Sequence, residues 1–70
     1  MNKEITFIVQ EAEEGGFYAE SINVGIFAEG ETIADLKENI KSGINCFFDS
    51  PEETPVFVHM HYVKDEVFAL

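Results

Sequence analysis

The chain has no arginine and only four lysines, at positions 3, 37, 41 and 64, against fourteen acidic residues. Proteins that grip nucleic acid present clustered lysine and arginine to the phosphates, and arginine supplies the bidentate forks. A formal charge of −10 at pH 7 repels a phosphate backbone, which argues against direct nucleic-acid binding. The same field draws cationic partners in and speeds their association. Cysteine is nearly absent too: Cys46 stands alone, so no disulfide can form within the chain. A domain of 70 residues buries only ~60% of the surface its unfolded form exposes. Without a disulfide the expected aid to stability is oligomerisation, as a homodimer or larger, with a bound metal a distant second. No apolar run approaches the ~20 residues of a membrane span. The opening Met1-Asn2-Lys3-Glu4 lacks the basic-then-apolar pattern of an export signal. The expected location is the cytoplasm, with no membrane partner.

What is there is patterned. Ile5, Phe7 and Val9 alternate with Thr6, Ile8 and Gln10, so residues Glu4 to Ala12 read as a strand with two distinct faces. Glu13-Glu14-Gly15-Gly16 breaks it, and two glycines supply the positive φ of a tight hairpin turn. A second strand runs from Phe17 to about Ile22. Asn23-Val24-Gly25 is a turn, and Gly25 to Glu29 reads as a short third strand. Thr32 is a helix N-cap, with Asp35 three residues on in the manner of a capping box. From there Ile33, Leu36, Ile40, Ile44 and Phe47 recur at helical spacing, with Phe48 at the stripe's edge. Gly43 falls on that stripe, which suggests a close approach of helix to sheet. Pro51 ends the helix. Residues Val56 to Val63 form a fourth strand, with Val56, Val58, Met60 and Tyr62 on one face and Phe57, His59, His61 and Val63 on the other. The tail from Lys64 to Leu70 is apolar enough to dock or pair.

The order β-β-β-α-β predicts a single α+β domain over residues 1–70. A right-handed crossover through the helix lays the fourth strand parallel to the first. The result is a four-stranded mixed sheet of order 3-2-1-4 with one helix packed on one face. One helix leaves the second sheet face bare. That face is expected to carry Ile8, Tyr18, Phe57, His59, His61 and Val63, or their alternates if the helix covers the other side, and exposed apolar surface of this size marks an interface.

Chemistry is harder to find. His59-x-His61 has a legitimate metal-ligand spacing, but a closed site needs two more ligands. Cys46 falls on the helix's polar side, so no metal or cofactor is expected. Glu11, Glu13, Glu14 and Glu20 gather around the first hairpin, either as a solvated rim or as carboxylates facing a basic partner. No short motif places Ser or Cys beside a His and an orienting acid, and Gly15-Gly16 is not a phosphate loop. The expectation is a binding protein, not an enzyme.

Two blocks carry a family resemblance. Glu14-Gly15-Gly16-Phe17-Tyr18-Ala19-Glu20 resembles the acidic-Gly-Gly-aromatic turn and strand of the HicB antitoxins. The run from Gly25 through Gly30-Glu31-Thr32 to Ile40 is similar to that family's second turn and the acidic helix after it. The resemblance spans about residues 4 to 63. It implies a partial, degenerate ribonuclease-H-like fold and a role in neutralising a small basic toxin that cleaves messenger RNA. Acids that a ribonuclease H would need at the strand centres are replaced here by Phe7, Ile8 and Met60, so nuclease activity is not expected. Many HicB proteins carry a further DNA-binding domain; none is read here, and repression of transcription is not expected. The alternative is a stand-alone homo-oligomer with a structural or regulatory role and no toxin.

Overall fold

Alternation in the first strand decides which side of the sheet becomes core. In a computed structural model, which describes residues 4–70, β1 (Glu4–Glu11) buries Ile5, Phe7 and Val9 while Thr6, Ile8 and Gln10 stay half-buried on the other side. The turn after it is built as expected. Gly15 and Gly16 take φ of 103° and 83°, values that cost a residue bearing a Cβ dearly. Gly15 N–H bonds to the Ala12 carbonyl at 3.1 Å and Ala12 N–H to the Gly16 carbonyl at 3.0 Å. β2 (Phe17–Ser21) returns antiparallel to β1, pairing Ile8 with Glu20 and Gln10 with Tyr18. β3 (Phe27–Gly30) then pairs antiparallel with β2. Ser21, the buried polar residue of this region, closes the β2–β3 turn. Its hydroxyl accepts from Ile26 N–H and donates to the Val24 carbonyl.

α1 (Ile33–Phe47) starts where Thr32 adopts an extended backbone and its hydroxyl accepts a 3.1 Å bond from Asp35 N–H. That bond satisfies one of the donors a helix start leaves free. Thr32→Ala is expected to cost about 1 kcal/mol, read as a thermal midpoint lower by about 4–8 °C. An unchanged midpoint would mean that the cap carries no stability. Leu36, Ile40 and Ile44 are buried as the helical spacing requires. At the C-terminal end the stripe departs from expectation: Phe47 is exposed, and Phe48 packs against the core instead. The helix stops at Phe47, and Phe48 takes an extended backbone at the C-cap. The helical angle therefore no longer decides which of the two rings turns inward. Gly43 does mark a close approach: a Cβ there would meet Ile26 Cγ2 at 3.0 Å.

β4 (Phe57–Tyr62) runs parallel to β1, from Glu4 beside Phe57 to Val9 beside Tyr62. The sheet order is β3-β2-β1-β4, the α+β arrangement read from the element order. The helix lies over β3 and β2, and Asn39 Nδ2 ties it to the Glu29 carbonyl. It leaves β4 largely uncovered, with Met60 its half-buried exception. The segment 64–70 does not dock on its own chain: Val67 and Phe68 are 95% and 76% exposed. No regular strand forms there. Each strand boundary falls within two residues of its expected place. Met1, part of the N-terminal reading, lies outside the described residues.

Candidate functional site

Pairing across the sheet fixes what the bare face presents, since residues paired between strands point to the same side. One row runs Phe27, Glu20, Ile8, His61, and the next runs Glu29, Tyr18, Gln10. A third sets Thr6 beside His59, and Phe57 lies beside Glu4. Val63 follows, its N–H bonded to the Val9 carbonyl at 2.9 Å. Ile8, Tyr18, Phe57, His59, His61 and Val63 thus share the side of the sheet away from the helix. The strand residues of this face include three carboxylates, Glu4, Glu20 and Glu29, two histidines and no lysine.

The acidic residues of the first hairpin divide. Glu20 stands on the bare face between Phe27 and Ile8. Glu11 pairs with Phe17 and points to the helix side of the sheet, while Glu13 and Glu14 are exposed in the turn. Only some of the four can meet one partner together.

The structure assembles a group that the strand pattern alone did not single out. Tyr18 and Phe27 stack with ring centroids 6.1 Å apart and planes inclined by 28°. Tyr18 also donates its hydroxyl hydrogen to Gln10 Oε1, which fixes the ring's outer end. Beside the pair lies a hollow of 540 Å³ bounded by Glu14, Gly16, Glu29, Gly30 and Glu31. It exists because the hairpin turn closes on the end of β3: a Cβ on Gly16 would sit 2.9 Å from the Gly30 carbonyl oxygen. A shallow aromatic floor with carboxylates at its rim suits a lysine or arginine side chain. The rings attract the cation through their faces, and the carboxylates complete its hydrogen bonds. Phe27 and Glu29 carry this arrangement, and a four-residue β3 gives too short an alternation to single them out.

His59 and His61 are exposed two positions apart on β4, with Thr6 and Ile8 as their row neighbours. Cys46 is exposed near the helix end. Among the described residues no three His, Cys, Asp or Glu side chains gather closely enough to share a metal ion. Among them also, no helix is long and apolar enough to cross a membrane.

No family model matches the chain, and no solved structure matches it. A UPF0150 protein from Thermotoga maritima is 41% identical over 68 residues, which is 97% of this chain and 94% of that protein. The chain belongs to the UPF0150 family.

Proposed function

We propose that this chain is a non-catalytic protein-binding module of the antitoxin kind, whose bare sheet face and acidic hollow hold a small basic protein. The observation that carries the reading is the Tyr18–Phe27 pair rimmed by Glu14, Glu29 and Glu31 on the face the helix leaves open. The hollow is shaped for a cation, and the net charge of −10 brings cations to it. The resemblance of residues 14–20 and 25–40 to HicB antitoxins supports a finer reading. In it the partner is a small RNA-cleaving toxin, held inactive by occupation of its basic surface. The absence of any nucleophile–base pairing in the sequence supports a role without catalysis.

The test is affinity capture on the immobilised chain from its host's lysate at low salt, followed by identification of what is retained. A single small basic protein is expected. Its affinity should fall roughly tenfold or more on raising salt from 50 to 500 mM, because exposed charge pairs are screened. Phe27→Ala should weaken it by roughly tenfold, the scale of one cation–aromatic contact in a desolvated site. Affinity that ignores both salt and Phe27 would sink the reading.

A second reading, a stand-alone homo-oligomer with a structural or regulatory role, is favoured by the exposed apolar side chains Phe27 and Phe57 of the bare face. It is distinguished by introducing a charge at Tyr18: Tyr18→Lys would dissociate copies joined through this face. Persistence of the oligomer would exclude the face as the self-contact.

A further inference from the structure

The least satisfied part of the molecule lies away from the acidic hollow. β4 is an edge strand of the sheet, and an exposed edge offers a row of free N–H and C=O groups to another chain. It is also apolar on the side where the helix stops short. There Val58 and Met60 face Ile40 and the stems of Lys37 and Lys41 across a groove of 160 Å³. A cavity of roughly 150 Å³ is enough to hold a benzene molecule, so this groove has room for one phenyl ring. Its rim carries two of the chain's four lysines. Lys41 bonds to Glu38 at 3.1 Å, an exposed pair, and Lys37 makes no ion pair among the described residues.

The segment after β4 has the matching chemistry. It reads Lys64-Asp65-Glu66-Val67-Phe68-Ala69-Leu70: two adjacent carboxylates, then an apolar run led by Val67 and Phe68. Val67 is almost wholly exposed and Phe68 largely so, and no backbone hydrogen bond is made beyond Val63 among the described residues. The groove on the same chain is badly placed to receive it. Val58 lies about 16 Å back along β4 from Val63, at ~3.3 Å per residue. To reach it the chain would have to reverse within residues 63–66, where Asp65 is the one turn-forming residue. The long extent of the molecule, 52 Å against 22 and 18 Å, is about twice the ~27 Å length of an eight-residue strand.

We infer that two copies of this chain exchange these arms. Each lays Asp65–Leu70 along the free edge of the other's β4, with Phe68 in the groove beside Val58 and Met60, Glu66 on that same side toward Lys37 and Lys41, and Asp65 at the arm's start adding to the field they feel. Such an exchange is two-fold symmetric, so each contact occurs twice. Three apolar side chains per arm carry on the order of 400–500 Å². Two arms and the surfaces they cover therefore reach the roughly 1,200–2,000 Å² of a stable, specific interface. Charge supports the same assignment. On a chain with fourteen acids, most encounters between copies repel, and this groove is where lysines can meet an acidic arm. The inference does not rest on the antitoxin reading and uses a different surface.

The experiment is a charge swap read by sedimentation velocity across micromolar concentrations. The wild-type chain is expected to sediment as a dimer. Lys37→Glu with Lys41→Glu, and separately Asp65→Lys with Glu66→Lys, should each weaken the dimer by roughly a hundredfold, since weak surface pairs become repulsions at two equivalent grooves. All four positions are exposed, so folding should survive, and an unchanged circular dichroism spectrum checks it. Mixing the two variants should restore a dimer, because each acidic groove then meets a basic arm and each basic groove an acidic one. A monomeric wild-type chain would overturn the inference, as would dimers indifferent to either swap. Restoration only when all four substitutions share one chain would assign the arm to its own groove and overturn the exchange.

Discussion

Gly30→Ala is expected to unfold the domain or to lower its thermal midpoint by more than about 15 °C. The position ends β3 and lies under the first turn of α1. A Cβ built there comes within 2.5 Å of Leu36 N and 2.9 Å of both Asp35 C and Leu36 Cα. All three are backbone atoms, so no side chain can swing aside, and strand and helix must part. Overpacking of this kind commonly costs 1–3 kcal/mol, and here it displaces the N-terminal turn that also carries the Thr32 cap. A 70-residue domain holds only about 3.5–10 kcal/mol in total. At about 4–8 °C per kcal/mol, the upper part of that cost gives the stated shift. Gly25→Ala is the control. It has no atom within 4 Å of the added Cβ and no positive φ, so it should stay within about 0.5 kcal/mol of the parent. Equal effects at the two glycines, measured by thermal melts under identical conditions, would refute the close-approach argument.

Leu36→Ala should be the most damaging of the large-to-small changes in the helix. Leu36 is fully buried, against 5% exposure for Ile44, and it belongs to the same cluster as Phe7, Val9 and Ile40. Truncating a buried leucine costs about 2–5 kcal/mol, the lost transfer energy plus the cavity left behind. On a domain with one helix, that cavity has few neighbours able to collapse into it. The expected result is a chain largely unfolded at 37 °C, or one whose urea midpoint falls by half or more. The same truncation at Phe47, which is exposed although it lies on the helical stripe, should cost less than about 1 kcal/mol. A cost at Phe47 as large as that at Leu36 would show that the helix buries a different face.

Much of this architecture is legible in the residues themselves. The alternation of Ile5, Phe7 and Val9 names the core side of β1, and Gly15-Gly16 announces the hairpin. Thr32, the spacing from Ile33 to Ile44 and Pro51 bracket the helix. These signals are local, each read within a few residues. What escaped was set by contacts between distant segments. Phe27 was not singled out because β3 is four residues long, too short for its alternation to show which side faces out. The hollow beside it depends on Gly16 meeting Gly30, fourteen positions away, which no periodicity records. Helical angle alone places Phe47 on the stripe and Phe48 at its edge, but the helix ends between them and the angle stops applying. The arm at 64–70 has apolar residues without a period, so the sequence offers no face to assign, and the structure leaves it free.

In the proposed function a basic protein binds the sheet face opposite the helix, with the Tyr18–Phe27 hollow at its end. The most direct test is an amide chemical-shift titration of the isotope-labelled chain with the basic protein recovered by capture. The largest shifts are expected at residues 14–20 and 27–31 and at Thr6, Ile8 and His61, with α1 residues 34–45 nearly still. Shifts concentrated on α1, or the recovery of no basic protein at low salt, would contradict it.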